Sequence, residues 1–414
     1  MQPSLSEQLA IHLKRPVFAR DRERARLHLL DWLGCIAGAL RSPSAEIARK
    51  LDTPVAYRVA WLANRLEMDD VHRSSILHPG PVVWAASLAQ PAQSMDILLD
   101  AAVRGYEATI AIGATFDERH YSFWHNTTTA GLPGAAVSAL CIRQPDAGTN
   151  ALADAMGLAA SVSGGLWQMR NEPCDAKQWH IAHAVTTGTQ AAFASMAGAR
   201  APAHILEGPQ GLYKATCSAP RPMSLDDGWR IFDVSFKPWG ACRHAHPAID
   251  AALELKARIG ALDGEVTVET YADALTFCDR PNPADEIDAK FSLQHAIGLV
   301  ATKGEPELAD FGPEARAAMA TARTKVSVRE AAEFTERYPA HFGARVHCGG
   351  HSVTLNDTLG DPERPIGEDR ILAKVRALVA WGGLPSTEAD RAASLALDGN
   401  DVNAILNLLE DWLA

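Results

Sequence analysis

Apolar residues recur at helical spacing along most of the first 222 residues. The segment 24–40, RARLHLLDWLGCIAGAL, is apolar almost all round near its C-terminal end, which predicts a buried helix. The segments 95–116, 150–167 and 180–199 repeat this pattern and are rich in Ala, Gly, Ser and Thr. Because small side chains let helices approach closely, this part of the chain predicts a large helical bundle.

The pattern changes after residue 222, where short segments of alternating, β-branched residues begin. Strands are predicted at 230–236, 265–271, 324–330 and 344–357. An amphipathic helix, HPAIDAALELKARIG, is predicted between the first two strands. Strands mixed with helices indicate a smaller α+β domain.

Helical spacing returns near the end of the chain, in DRILAKVRALVAWG and DVNAILNLLEDWLA. We therefore predict a mainly α protein with two domains. The larger is all-helical and discontinuous in sequence, residues 1–222 and 366–414. The smaller is the α+β domain, residues 223–365, inserted between the two parts.

Composition narrows the class of protein. The 414 residues are 47% hydrophobic and 21% charged, as in ordinary globular proteins. A net charge of −11 argues against a nucleic-acid or membrane-surface partner, since both are polyanions. The N-terminus lacks the apolar core of a signal peptide, and no uncharged run is long enough for a membrane span. Seven scattered cysteines fit reduced thiols. We expect a soluble, cytoplasmic protein.

The segment LEMDDVHRSSILHPG, residues 66–80, is unusually polar for its surroundings. It places Glu67, Asp69 and Asp70 shortly before His72 and His78. One interpretation is a solvated helix end followed by a turn, because buried charge is costly unless it is paired. The other is a loop that holds acid/base groups at the mouth of a pocket.

Four further segments carry polar groups in apolar surroundings. Simple N-capping and an exposed lysine are the alternative explanations for the first two. The polar residues of the four segments are, in order: His125 with Thr127, Thr128 and Thr129; Lys177 with His180 and His183; Lys237 with Cys242, Arg243, His244 and His246; and Lys290 with Ser292, Gln294 and His295.

Several kinds of site lack their sequence signatures. The spacings His244–His246 and His347–His351 permit metal ligation, but no CxxC pair or HExxH motif supports it. There is no GxGxxG after a strand, no Walker loop and no Gly-x-Ser-x-Gly elbow. We therefore predict neither a metal nor an organic cofactor.

The remaining inventory of imidazoles, lysines and carboxylates suits proton abstraction next to a carboxylate. Such a C–H is weakly acidic, so the reaction needs cations that stabilise the enediolate-like charge. It also needs a base that titrates near neutral pH, and His is the readiest candidate. Loss of a hydroxyl would complete an elimination, whereas return of the proton to the opposite face would give epimerisation.

Taken together, these segments resemble the MmgE/PrpD family, which includes 2-methylcitrate dehydratase, cis-aconitate decarboxylase and iminodisuccinate epimerase. The order and spacing of the motifs over nearly the whole chain make the resemblance specific. The resemblance implies an all-helical domain with an α+β lid, a homodimer, and an active site in the cleft between the domains without cofactor. The motifs are LLDWLGCIAGAL, NRLEMDDVH…HPG, GYEATIAIG, WHNTTTAGLPGAA, AKQWHIAHA, GPQGLYKA, FKPWGACRHAHPAIDA and FSLQHAIG.

By resemblance, the family's acidic loop falls on residues 67–78, its catalytic histidine on His125, the lysine of its K-x-x-H motif on Lys177, and its lid lysine on Lys237. We predict two sets of site residues. The catalytic set is His78, His125, Asp69, Asp70, Lys237 and His295. The substrate-binding set is Glu67, Lys177, His180, Cys242, Arg243, His246 and Gln294.

The chain departs from the family pattern at four of these motif positions. Glu67 stands in place of Asp, Val71 in place of Thr, Cys242 in place of His, and His295 in place of Tyr. The leading prediction is a cofactor-independent dehydratase acting on a small di- or tricarboxylate, similar to 2-methylcitrate dehydratase. The alternatives are an epimerase of an imino- or amino-dicarboxylate, a decarboxylase of the cis-aconitate type, and a non-catalytic carboxylate-binding protein.

Overall fold

The computed structural model describes residues 3–170, 172 and 174–414. The chain forms two compact units: unit 1 is Met1–Val234 with Gly367–Ala414, and unit 2 is Ser235–Ile366. Unit 1 is helical and unit 2 contains a small sheet, so the predicted mainly α fold with a smaller α+β part is confirmed. The segment 223–234, which the sequence assigned to the smaller domain, lies in unit 1.

The first part of unit 1 consists of helices joined by short loops. In chain order they are α1 (Leu5–Leu13), α2 (Ala19–Ala39), α3 (Pro43–Lys50), α4 (Val55–Val59), α5 (Pro79–Leu88), α6 (Met95–Gly113), α7 (Glu118–Phe123), α8 (Asn126–Arg143), α9 (Thr149–Ala160), α10 (Ala176–Met196) and α11 (Leu212–Thr216).

Helix α8 runs through the core of unit 1 and is buried from Asn126 to Ile142. It packs against α6, α9 and α10. A Cβ atom at Gly134 of α8 would lie 1.8 Å from the Thr109 hydroxyl, and one at Gly188 of α10 would lie 2.5 Å from the Ala135 methyl. The glycines therefore allow the close helix packing that the small-residue composition predicted.

Unit 2 packs helices on one sheet. Its elements are α12 (His246–Ile259), β1 (Val266–Thr270), α13 (Ala272–Cys278), α14 (Glu286–Lys290), α15 (Leu293–Thr302), α16 (Pro313–Ala318), α17 (Ala320–Thr324), β2 (Val326–Glu330), α18 (Ala332–Thr335), β3 (Ala344–Cys348) and β4 (His351–Leu355).

The sheet has the order β2-β1-β3-β4. Strand β1 is parallel to β2 and antiparallel to β3, which pairs antiparallel with β4. Val268 lies opposite Val328 and Val346, and Val346 lies opposite Val353. These valines belong to the apolar cluster of unit 2, to which α12 and α15 also contribute. The alternating pattern therefore buries one face of the sheet.

The predicted segment 344–357 forms a hairpin. Gly349 and Gly350 separate β3 from β4 with φ angles of 57° and 79°. Two-residue hairpin turns with positive φ at both positions favour glycine, because it lacks the Cβ that disfavours this conformation. The CGGH sequence therefore determines where the chain turns.

Two predicted elements are wrong. Residues 230–236 do not form a strand; Arg230–Asp233 is a 3-10 turn, and the Arg230 amide donates a 2.8 Å hydrogen bond to the buried Glu107 carboxylate. The helix predicted at 150–167 ends at Ala160. Beyond it, the Ser163 hydroxyl donates to the Thr129 carbonyl at 2.9 Å, and Gly165 has a φ of 105°. Tertiary hydrogen bonds override the local pattern in both places.

The chain completes unit 1 with α19 (Glu368–Trp381), α20 (Thr387–Ala393) and α21 (Val402–Leu413). Helix α19 packs on α2, where a Cβ atom at Gly34 would lie 2.8 Å from the Val375 side chain. Among the helices of the described residues, none combines the length and apolar character that a bilayer crossing requires.

Candidate active site

The loop between α4 and α5 is buried, although it carries several charged residues. Asp69 and Asp70 are 2% and 4% exposed, so the interpretation of 66–80 as a solvated helix end is wrong. Glu67 and Ile76 in this loop have φ angles of 58° and 49°. The left-handed region costs a non-glycine residue about 1–2 kcal/mol, and such strain concentrates at functional sites.

The carboxylate of Asp70 accepts hydrogen bonds from three groups. The Tyr106 hydroxyl donates to Oδ2 at 2.5 Å, and His28 Nδ1 lies 2.9 Å from the same oxygen. The Gly80 amide donates to Oδ1 at 2.9 Å. A Cβ atom at Gly80 would lie 2.6 Å from Oδ1, so only glycine allows this approach. Asp70 is therefore fixed by α2, α5 and α6 together.

His78 precedes α5 and is oriented by the acidic loop. Its Nδ1 lies 2.9 Å from the Asp70 carbonyl oxygen and 2.8 Å from Asp69 Oδ2. Since both oxygens can only accept, the hydrogen of neutral His78 belongs on Nδ1 and the lone pair on Nε2. The amide of His78 donates to the Thr127 hydroxyl at 3.0 Å, and its side chain is 17% exposed. His78 is therefore held through Nδ1 by the Asp70 carbonyl, with the Asp69 carboxylate at ion-pair distance.

His125 forms the second imidazole centre of unit 1. It is the N-cap residue of α8, and its Nδ1 lies 2.9 Å from the Thr128 hydroxyl and 3.3 Å from His180 Nδ1. Burial, helped by the nearby His180, holds the pKa of His125 well below its ordinary value. Burial also lowers the pKa of His180 to about 4. Both imidazoles are therefore neutral near neutral pH.

Lys177, on the first turn of α10, forms an ion pair with Glu67. The partner is the strained residue of the acidic loop, so the pair fastens this loop to α10. The field of Lys177 also contributes to the lowered pKa of His125, as does that of His78. Unit 1 thus gathers seven of the predicted site residues: Glu67, Asp69, Asp70, His78, His125, Lys177 and His180.

Four other predicted site residues lie on one segment of unit 2 that leads into α12. Lys237 is fully buried. Arg243 forms a buried ion pair with Asp361, whose Oδ1 also accepts a 2.5 Å hydrogen bond from the Ser235 hydroxyl. His246 Nε2 lies 3.1 Å from the Ala241 carbonyl, and Cys242 is buried.

Gln294 and His295 begin α15 in unit 2, where other protein groups bind their side chains. The Gln294 amide accepts from the Arg280 amide at 3.1 Å and donates to Asp279 at 2.6 Å. His295 Nε2 lies 2.8 Å from the Asp310 carbonyl, and its Nδ1 lies 3.4 Å from an Arg323 nitrogen. Burial lowers the pKa of His295.

Sequence reasoning missed several residues of the unit 1 centre. His28 and Tyr106 bind Asp70, and the Trp167 ring lies 4.6 Å from that of His125. The Arg170 guanidinium stacks 3.6 Å above Trp167. His28 lies in the 24–40 segment among Arg24, Arg26 and Asp31, so its residue type alone does not distinguish it.

The histidines whose spacing permits metal ligation contact other protein groups. His244 Nδ1 lies 2.8 Å from the Tyr271 hydroxyl, and His347 Nε2 lies 3.1 Å from Glu269. Within the described part of the chain, the metal-compatible group of three side chains is His341, Asp357 and Glu363, partly exposed in unit 2.

Comparison with protein families gives two matches. The MmgE/PrpD N-terminal domain matches residues 55–224, and the MmgE/PrpD C-terminal domain matches residues 239–398. The second match continues beyond unit 2 into α19 and α20. A search of curated proteins finds no match to this chain.

Proposed function

The chain belongs to the MmgE/PrpD family, whose members are typically dehydratases, and we propose that it is a cofactor-independent lyase that dehydrates a small di- or tricarboxylate, as 2-methylcitrate dehydratase does. The observation that carries the proposal is His78, whose Nδ1 faces Asp69 Oδ2 at 2.8 Å and the Asp70 carbonyl at 2.9 Å. This orientation leaves Nε2 as the basic nitrogen.

His78 is proposed to take the proton from the carbon next to a substrate carboxylate. Asp69 then faces the imidazolium that forms, and an opposite charge at this distance stabilises it. The electrons of the broken C–H bond pass through the enediolate to form the C=C bond as the hydroxyl leaves. The proton on His78 is returned to the departing hydroxyl, so the net product is water and an enoate.

His125 is proposed to hydrogen-bond to the substrate without changing its charge. Its pKa is held well below the ordinary value by burial, so it is a poor imidazolium acid near pH 7. A neutral imidazole can instead donate a hydrogen bond to the oxygen on which charge develops.

Cations are proposed to bind the substrate carboxylates. In unit 1 these are Lys177, paired with Glu67, and Arg170, stacked on Trp167. Arg243 is neutralised by Asp361, and we propose that it holds its segment in place. The ring nitrogens of His295 lie against other protein groups, which supports a structural role for this residue.

An ultraviolet assay tests the proposed reaction. Methylcitrate, citrate, tartrate and malate analogues are incubated with the protein, and formation of the enoate is followed by its absorbance. We expect turnover of at least one of them, and a loss of at least about 100-fold in kcat for His78→Gln. Folded protein that dehydrates no member of the panel would contradict the proposal.

Epimerisation of an imino- or amino-dicarboxylate is the second candidate. It is supported by the presence of two imidazole centres in unit 1, His78 and the His125–His180 pair. Epimerisation needs proton transfer on two faces of one carbon, and two separately held imidazoles suit it. Exchange of the substrate α-hydrogen with interconversion of enantiomers, and without enoate, would favour this candidate.

We also propose that the protein forms a homodimer through unit 1. Trp179 and Phe193 of α10 are 53% and 41% exposed, and their spacing of 14 residues puts them on one helix face. Phe123, Val162 and Leu166 are exposed as well. Apolar groups exposed on one face of a helix are a feature of interaction surfaces, which supports a second copy as the partner of α10.

We also propose a cytoplasmic location. The seven cysteines are thiols and form no disulfide in the described part of the chain, and six of them are buried. Free thiols are typical of reducing compartments.

A further inference from the structure

We infer that His28 and Tyr106 are positioning residues that act through Asp70 to hold His78 in the Nδ1–H form. The inference rests on the proposed role of His78 as the base. It assigns Asp70 to positioning as well, because its carboxylate is already bound by the Tyr106 hydroxyl, the Gly80 amide and His28.

The direction of the Tyr106 hydrogen bond is fixed by its other partner. The Trp84 indole N–H can only donate, and it lies 3.1 Å from the Tyr106 oxygen. The hydroxyl proton is therefore available to Asp70 Oδ2, which accepts it at 2.5 Å. Tyr106 is fully buried, so this bond is not exchanged for one to solvent.

His28 contributes a second donor in the neutral state. Burial lowers its pKa to about 4, with a further contribution from the nearby Arg24. A neutral imidazole 2.9 Å from a carboxylate oxygen carries its hydrogen on the facing nitrogen, here Nδ1. The rings of His28 and Tyr106 also pack at 5.4 Å, so α2 and α6 hold Asp70 as one unit.

Asp70 connects these donors to His78 through its own main chain. Its side chain binds the Gly80 amide at the start of α5, and its carbonyl faces His78 Nδ1. The two contacts fix the segment 70–80 at both ends. If a donor is lost, the carboxylate is free to turn, and the carbonyl that selects the His78 tautomer moves with it. In metal sites, removal of the outer-shell partners that orient a histidine costs about 10–100-fold, and we expect an effect of this order here.

The test compares donor-removing variants with a donor-retaining one. Tyr106→Phe removes the hydroxyl, and His28→Leu removes the imidazole donor. His28→Asn keeps an N–H near the position of Nδ1. Tyr213→Phe is the matched control, since Tyr213 is also a buried tyrosine of unit 1, packed at 6.3 Å from Phe116. Thermal unfolding of the full chain checks that each variant is folded.

The first readout is the His78 tautomer and needs no substrate. Ring ¹⁵N shifts are measured in histidine-labelled protein, and His78→Gln identifies the signal among the 15 histidines. We expect Nδ1–H in the wild type, His28→Asn and Tyr213→Phe, and a mixture of tautomers in Tyr106→Phe and His28→Leu. If either donor-removing variant fails to fold, the other carries the comparison.

The second readout is turnover on whichever carboxylate reacts. Tyr106→Phe and His28→Leu should lower kcat by about 10-fold or more with little change in KM, because binding groups are untouched. A wild-type tautomer and kcat in both variants would overturn the inference. If the tautomers are as expected but the protein exchanges no substrate proton, the proposed function is overturned and the positioning of His78 still holds.

Discussion

Lys374 of α19 donates a 2.6 Å hydrogen bond to the carbonyl oxygen of Met68, the residue between Glu67 and Asp69. The same ammonium donates to Asp31 Oδ1 at 2.6 Å. Asp31 lies on α2 one turn from His28, so α2 supports the acidic loop at two points. The C-terminal segment thereby contributes to the candidate site without supplying a group that contacts substrate.

Replacement of Lys374 by Met should destabilise unit 1 strongly. The variant leaves the buried Asp31 carboxylate without its cation, and breaking one partner of a buried pair costs about 3–5 kcal/mol. Denaturant unfolding measures the loss. Double replacement with Asp31→Leu should recover part of it, because the uncompensated charge is then gone. Equal stability of Lys374→Met and wild type would contradict this account of the pair.

The left-handed backbone at Glu67 predicts different stabilities for two substitutions that both remove its charge. Glu67→Gly and Glu67→Gln each lose the ion pair with Lys177, but only glycine relieves the φ of 58°. Glu67→Gly should therefore be more stable than Glu67→Gln by about 1 kcal/mol. Chemical denaturation of the two variants checks this, and a more stable Gln variant would show that the backbone is not strained.

The sheet of unit 2 carries a pH-sensitive cluster at Glu269. Hydrogen bonds from His347, Arg329 and Arg345 lower the pKa of Glu269 to about 2. Arg329 on β2 and Arg345 on β3 lie directly opposite Glu269, and His347, which lies opposite Thr267, is its diagonal neighbour on β3. Because the folded pKa lies below the unfolded one, the stabilisation is full above about pH 4.5. It is lost as the pH falls toward about 2.

Glu269→Gln tests this cluster. The Arg329 side chain is mostly exposed, so solvent weakens the pairing and the loss at pH 7 should be about 1 kcal/mol. The variant and the wild type should converge in stability as the pH approaches about 2. A constant difference between them at all pH values would rule out the electrostatic explanation.

The proposed homodimer predicts an effect of charge on α10. Phe193→Glu puts a carboxylate on the exposed apolar face of this helix, and burying it against a second copy would be costly. Sedimentation equilibrium should show a dimer for the wild type and a larger monomer fraction for the variant. Glu substitution at the exposed Ile287 of unit 2 is the control. A monomeric wild type would contradict the proposal.

Periodicity predicted the helices well, because the buried face of a helix requires apolar residues at regular spacing along the chain. It failed at 230–236, where apolar alternation was real but the Arg230 amide binds the buried Glu107 carboxylate instead of a strand. The hairpin at Gly349–Gly350 could be predicted from the sequence, because the turn depends on these two glycines and not on distant residues.

The candidate site was only partly predictable for a related reason. The acidic loop could be predicted from its sequence, because so many charged residues are tolerated in apolar surroundings only when the charges are paired. His28 and Tyr106 could not be predicted in this way, because each is one of several polar residues in its helix. Their importance comes from Asp70, more than 35 positions away from either. The residue types of Gln294 and His295 suit a catalytic or binding site, yet their side chains bind backbone and side-chain groups of unit 2.

The central claim is that His78 removes a proton from the carbon next to a carboxylate. Its most direct test is incorporation of deuterium from D₂O into members of the carboxylate panel, followed by NMR for the wild type and His78→Gln. His120→Gln serves as the control, since His120 is a buried histidine of unit 1 bound to Thr216 at 2.8 Å. The account predicts exchange that is lost in His78→Gln and kept in His120→Gln; undiminished exchange by folded His78→Gln would contradict it.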